Sequence, residues 1–149
     1  MGSVSAMDAM YIATATSTGG RSGHAVSSDG NLDLDIVVPA ELGGAGGPGT
    51  NPEQLFAAGY AACFNSALQL VAGKRGHDAS AATVTADVGL KRAGRGFGLE
   101  VALRVAIPGI ERGLAQDLVE KAHQVCPYSN ATRGNIEVAL TVEDATAVA

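Results

Sequence analysis

The chain carries two thiols, and little else in it is as reactive. Cys63 lies in "AGYAACFNSALQLVAG" (58–73) and Cys126 in "HQVCPYSNATRGN" (123–135). A cysteine can pack as a small hydrophobe, ligate a metal as its thiolate, or attack an electrophile and be bridged by a second thiol. Cys63 sits about ten residues into a helix-compatible run, too far from its start for the helix dipole to favour a negative sulfur. Apolar burial alone raises a thiol's pKa, so Cys63 becomes a nucleophile only if a cation is brought to it from elsewhere in the fold. Helical side chains lean back over the i−3 and i−4 positions, here Tyr60 and Gly59. The missing side chain at Gly59 predicts an opening through which a substrate reaches the sulfur. Cys126 falls at the C-terminal end of its own helix, where the dipole disfavours a thiolate. That asymmetry casts Cys63 as the attacking sulfur and Cys126 as the resolving one, given a positive charge beside Cys63.

Other readings of the same residues stay open. A single cysteine on an apolar helix is most often packing. His123 and Cys126 share a helix face at i, i+3 and would bind a metal with Cys63, although no CxxC or HxxxH pair supports a site. A cysteine–histidine hydrolase would pair Cys63 with His24, His77 or His123.

The elements that must position these groups are legible in the patterning. "MYIATATST" and, after the turn "GGRSG", "HAVSSDGNLDLDIVV", with "SDGN" as a turn signal within it, read as strands; Leu32, Leu34, Ile36 and Val38 alternate with Asp33, Asp35 and Val37, as in a half-buried strand. The chain therefore opens with a small antiparallel meander. Residues 41–52 hold five glycines and two prolines, a loop that lacks the Gly-Lys-Ser/Thr ending of a phosphate loop. It ends in a helix start, with Thr50 or Asn51 as cap, Pro52 first and Glu53 in the first turn. From Glu53 to about Ala72 the helix is apolar nearly all round, which predicts burial on most sides. "ATVTADVGLKR" and "GLEVALRVAIP" follow as a hairpin joined by "AGRGFG". A second helix runs from about Glu111 to Val125, striped by Ile110, Leu114, Leu118, Ala122 and Cys126, and Pro127 ends it. "NIEVALTVE" is the last strand. The order βββα–ββα–β is that of an α+β fold in one domain spanning 1–149.

Composition bounds the class. At 149 residues, 46% hydrophobic and 17% charged, the chain is globular and large enough for a core. A net charge of −5 without a basic tail or Arg-rich stripe argues against a nucleic-acid partner. The first twenty residues lack the basic and apolar regions of a secretory signal. No stretch reads as apolar enough over about 18 residues to insert into a membrane. The expected address is cytoplasmic, where a permanent disulfide would be unusual. Aromatics make up only 4%, and abundant small side chains make a core shared between subunits plausible.

Three separated stretches then carry a family likeness. "TSTGGRSGHAVSSDGNLDLDI", "ELGGAGGPGTNPEQLFAAGYAACFNSAL" and "VCPYSNATRGNIEV" resemble, in order and spacing, the organic hydroperoxide resistance proteins, one branch of the osmotically inducible protein superfamily. "GYAACF" and "CPYSNATRGN" favour this branch over its sister. The resemblance implies an OsmC/Ohr-like fold: antiparallel sheets wrapped around a long buried central helix, in an intertwined homodimer. It also implies a thiol peroxidase that reduces organic and fatty-acid hydroperoxides to alcohols, binds no cofactor, and is recharged by a lipoylated protein or another dihydrolipoamide-type dithiol. Carried onto this sequence, Cys63 is the peroxidatic residue and Cys126 the resolving one. Arg21 of "GGRSG" is the activating cation, and Glu53 of "NPEQLF" orients it. Alone, Arg21 and Glu53 would read as a turn residue and a first-turn acid. Ten helical residues separate Glu53 from Cys63 by about 15 Å and about 280° of rotation. This geometry points to Glu53 and Arg21 reaching Cys63 from the other subunit. The alternatives are a redox-sensing or hydrophobic-ligand-binding module without catalysis, or a sister-branch peroxidase.

Overall fold

The computed structural model describes residues 8–144; the start of the segment read as lacking a signal, and the very end of the 1–149 span, lie outside it. The chain divides into two compact units, Met1–Pro52 and Glu53–Ala149.

In the first unit, β1 (Ala15–Thr18), β2 (Gly23–Ser27) and β3 (Asp33–Ile36) form an antiparallel sheet in that order. The expected meander is present, with shorter strands. β2 turns away at Ser27, so residues before Thr14 have no ladder to join, and the last link is Ser28 N–H to the Thr14 carbonyl at 2.8 Å. The Ser27–Leu32 turn, at the "SDGN" signal, separates β2 from β3. It is closed by Ser27 N–H to Leu32 O at 2.7 Å and by Leu32 N–H to Ser27 Oγ at 2.9 Å. The turn between β1 and β2 needs Gly19 and Gly20 at φ 81° and 59°, a region glycine enters without penalty. Arg21 stands half-buried on that turn. The alternation read in β3 holds in part: Ile36 is buried while Asp33 and Asp35 are exposed, but Leu34, read as inward-facing, is 38% exposed. His24 of β2 reaches both acids, Asp35 through Nδ1 at 2.9 Å and Asp33 through Nε2.

The second unit is built on α1 (Pro52–Lys74), the hairpin β4 (Thr83–Ala93) and β5 (Gly96–Ala106), α2 (Arg112–Val125), α3 (Pro127–Thr132) and β6 (Val138–Val142). The order βββα–ββα–β is as read from the sequence, with α3 added. Phe64 and Leu68 of α1, Leu103 and Val105 of β5, and Leu118, Val119 and Ala122 of α2 share one core. Each fully buried Leu or Phe stabilises it by about 1.5–3 kcal/mol. α2 starts on Glu111, whose carboxylate accepts Gly113 N–H at 2.7 Å and Leu114 N–H at 3.1 Å, satisfying donors that have no partner inside the helix.

Three sequence expectations are corrected. The second sheet is mixed, because β6 pairs with β5 in parallel, Val101 opposite Val138 through Val105 opposite Val142. A parallel neighbour needs a crossover, and α2 and α3 supply it. Within the chain α1 buries a stripe, Tyr60, Phe64, Ala67, Leu68 and Ala72, while Ala58, Ala62, Ser66 and Leu70 are exposed, Leu70 by 52%. Its apolar character is therefore not matched by burial on most sides. With 23 residues and a mean hydropathy of 1.4, α1 is also long and apolar enough to cross a membrane by length and composition, contrary to the sequence reading. Its buried stripe nonetheless packs into the same core as β5 and α2, the behaviour of a core helix.

The β2–β3 cluster gives a pH test. Hydrogen bonding to Asp35, then Asp33, raises the His24 pKa above 6.5. A raised folded-state pKa stabilises the fold fully below the unfolded value, and that stabilisation is lost as pH rises through the folded one. NMR titration of His24 is expected to give a midpoint above 6.5 that falls in Asp35→Asn. Thermal stability should decline across the same interval in wild type and less steeply in the variant.

Candidate functional site

Cys63 projects from the middle of α1, half-buried, and Cys126 is fully buried at the junction of α2 and α3; both thiols are free. The junction is built by Pro127. Proline lacks an N–H and its fixed φ suits a first helical position, so Pro127 both ends α2 and starts α3. The sequence reading gave it only the first role. Cys126 N–H closes α2 on the Ala122 carbonyl at 2.8 Å, and its own carbonyl accepts Asn130 N–H of α3 at 2.9 Å. Cys126 is thus the last cap of one helix and the first cap of the next, which removes the one-sided dipole argument made for it.

The two sulfurs meet within the second unit. The Cys126 side chain hydrogen-bonds the Cys63 sulfur, and Tyr128 N–H, at the start of α3, donates to it as well. Burial pushes the Cys63 thiol up from the ordinary cysteine value; the neighbouring Cys126 raises it further, while the Tyr128 N–H pulls it down. A backbone donor aimed at sulfur favours the thiolate. It does not outweigh burial here.

Tyr128 is held by more than its amide. Its ring lies 5.8 Å from that of Phe56 at 78° and 5.4 Å from that of Tyr60 at 38°. A Cβ added at Gly59 would fall 2.3 Å from the Tyr128 hydroxyl and 3.0 Å from Cζ. The gap at Gly59 is therefore filled by tyrosine and does not serve as the substrate opening the sequence suggested. A groove of about 1330 Å³ opens beside Phe56 and Tyr128, lined by the apolar Leu99, Ile136 and Val138 and by the charged Lys91, Glu100 and Glu137; neither cysteine lines it.

The remaining sequence candidates are placed as follows. Glu53 lies in the first turn of α1, ten residues from Cys63, which is about 15 Å along the axis of a regular helix. Arg21 belongs to the first unit, on the β1–β2 turn. His24 is bound to Asp33 and Asp35, His77 follows the end of α1, and His123 turns Nδ1 to Ser129 at 2.7 Å. The hydrolase reading gains no support, since the groups acting on the Cys63 thiol are Cys126 and Tyr128. Among the described residues, no group of three or more His, Cys, Asp or Glu is placed to hold a metal ion. Tyr128 was missed in the sequence; the signal was the proline directly after Cys126, which marks a helix start as readily as a helix end.

An α+β protein with two thiols converging where a long apolar helix meets the α2–α3 junction is the class that fold and site define. The profile of the OsmC-like protein family matches residues 44–141. An organic hydroperoxide resistance protein of Xanthomonas axonopodis pv. citri is 57% identical over 134 residues, covering 89% of this chain and 94% of that protein. The organic hydroperoxide resistance protein OhrB of Bacillus subtilis is 46% identical over 137 residues, covering 91% and 99%. The crystal structure of an organic hydroperoxide resistance protein from Elizabethkingia anophelis superposes with a TM-score of 0.87 at 55% identity, covering 93% of this chain and 99% of that one. The chain belongs to the OsmC/Ohr family, on the side of the organic hydroperoxide resistance proteins.

The Gly59–Tyr128 fit is testable. Gly59→Ala is expected to push the Tyr128 ring out of its stack and cost about 1–3 kcal/mol, as overpacking does. Urea unfolding measures the loss, and the near-ultraviolet circular dichroism of tyrosine reports the displaced ring.

Proposed function

We propose that the chain is a cysteine-based peroxidase that reduces organic hydroperoxides to alcohols. The observation that carries this reading is the apposition of Cys126 and Tyr128 N–H on the Cys63 sulfur, in a family whose members are named for organic hydroperoxide resistance. The Cys63 thiolate attacks the terminal oxygen of R–OOH. The S–O bond forms as the O–O bond breaks, and the leaving alkoxide takes a proton to become R–OH. Sulfur is oxidised by two electrons to the sulfenic acid and the peroxide is reduced by two. The Cys126 thiol then attacks that sulfur, a disulfide forms and water leaves, which keeps Cys63 from irreversible over-oxidation. A lipoyl-type dithiol returns the disulfide to two thiols and is itself left as the cyclic disulfide. The cycle uses no resident cofactor and suits a reducing, cytoplasmic setting. The apolar side chains of the groove beside Phe56 and Tyr128 suit an oily R group, fatty-acid hydroperoxides included, better than hydrogen peroxide.

Burial raises the Cys63 pKa, so the cycle needs a cation. Arg21 supplies it and hydrogen-bonds the peroxide oxygens as charge moves onto the alkoxide, with Glu53 orienting the guanidinium. Both come from the partner subunit of a homodimer. The axial distance from Glu53 to Cys63 supports that arrangement, as does the exposed apolar face of α1, Ala58, Ala62 and Leu70.

Adding one equivalent of cumene hydroperoxide to reduced protein is expected to consume both thiols in a fast step. Cys63→Ser should abolish turnover, and Cys126→Ser should stop at the sulfenic acid after one equivalent and give sulfinic acid, visible by mass spectrometry, when a second equivalent is added. Wild type that keeps both thiols under these conditions overturns the proposal.

The shared site has its own test. Arg21→Ala and Cys63→Ser, each inactive alone, should recover roughly a quarter of wild-type activity when unfolded and refolded together, because mixed dimers hold one intact site. No recovery, with mixed dimers shown to form, means that Arg21 acts within its own chain.

A further inference from the structure

Where α1, α2 and α3 meet, the buried hydroxyls of Tyr60, Ser129 and Thr132 join the half-buried His123 ring, and the thiol chemistry above uses none of them. The Tyr60 hydroxyl lies 2.8 Å from Ser129 Oγ and 3.3 Å from Thr132 Oγ1. His123 Nδ1 lies 2.7 Å from Ser129 Oγ, and Thr132 Oγ1 donates to the Ser129 carbonyl at 3.1 Å. Tyr60 and Ser129 are 0% exposed. One direction of donation satisfies every contact: His123 Nδ1–H to Ser129, Ser129 O–H to Tyr60, Tyr60 O–H to Thr132, and Thr132 O–H to the carbonyl. Burial, and then the Arg133 charge, hold the His123 pKa below 6.5, so the ring is neutral near pH 7. Arg133 also ties the junction, donating to the His123 carbonyl and to Asn130 Oδ1, both at 2.6 Å.

The register of this network matters more than its existence. Tyr60 precedes Cys63 by three residues on α1, which puts the two on one face, a turn apart. Ser129 directly follows Tyr128 and stands three residues after Cys126. His123 stands three residues before Cys126. The hydroxyl contact between Tyr60 and Ser129 therefore sets the separation of the two turns that carry the sulfurs, and His123 fixes the junction from the α2 side.

We propose that Tyr60, Ser129 and His123 form a positioning network for the thiol pair: they seat α3 on α1 so that Tyr128 N–H and Cys126 both face the Cys63 sulfur. This deepens the peroxidase reading, because it assigns residues that keep the attacking and resolving groups in reach. It rests on that reading only for its purpose, and its test needs no peroxide.

In fully reduced protein, the rate of Cys63 alkylation by iodoacetamide is followed against pH by mass spectrometry. Formation of the Cys63–Cys126 disulfide is followed separately with diamide, which takes up the two hydrogens that the thiols lose. Ser129→Ala and Tyr60→Phe are each expected to raise the alkylation midpoint by about half a unit to one unit, as a weakened hydrogen bond to the thiolate would. Each should also slow bridging about tenfold, and the double variant should do little more than either alone, since both remove the same contact. Tyr60→Phe leaves the Ser129–His123 pair intact and serves if Ser129→Ala does not fold. Leu103→Ala, a core deletion on β5, is the control: it should lower the melting temperature without moving midpoint or bridging rate. If Tyr60→Phe and Ser129→Ala behave like Leu103→Ala, the network is structural only and the proposal is overturned. Wild type that shows this thiol behaviour but consumes no hydroperoxide sinks the peroxidase reading and leaves the positioning role standing.

Discussion

The hydrogen bond from Tyr128 N–H to the Cys63 sulfur depends on a peptide group that most helices leave to solvent. The first N–H groups of any helix have no partner inside it. In α3 the first of them is removed by Pro127, and the next is turned on a thiol of another helix. A short helix so placed needs its apolar and polar sides anchored independently, and the structure does both. The Phe56–Tyr60–Tyr128 rings pack on one side, and the buried hydroxyls of Tyr60, Ser129 and Thr132 close the other. Cys126, between α2 and α3, has its N–H and its carbonyl both engaged and no freedom to drift from its mate.

Burial does two opposing things at this site. It keeps water from Cys126 and part of it from Cys63, which in the proposed cycle shields a sulfenic acid, but it also disfavours the thiolate. Inside the second unit the balance falls towards the neutral thiol. A single amide donor is too weak to reverse it, which is why a guanidinium remains necessary in the proposed cycle and why the exposed face of α1 matters for assembly.

Much of this was legible in the sequence, for identifiable reasons. Strong periodic signals gave the right elements: the β3 alternation put Ile36 inside and the aspartates outside, and the uninterrupted apolar run gave α1 nearly to the residue. Local signals failed where tertiary partners decide. The glycine at 59 read as empty space because its filler, Tyr128, lies 69 positions away in the chain. Pro127 read as a stop because helix ends and helix starts use the same residue. The parallel placement of β6 was invisible because alternation carries no direction. The convergence of Cys63 and Cys126 was suggested by resemblance and not by spacing; the fold produces it through a crossover that no local pattern announces.

That crossover has a bearing on how the molecule comes into being. The β4–β5 hairpin is local and can zip as soon as its residues exist, whereas a parallel pair must first close the long loop between its strands. Cys126 lies inside that loop, between the end of β5 and the start of β6. During synthesis Cys126 emerges about sixty residues after Cys63, so the two thiols meet only late, and a chain stopped before α2 would carry Cys63 alone.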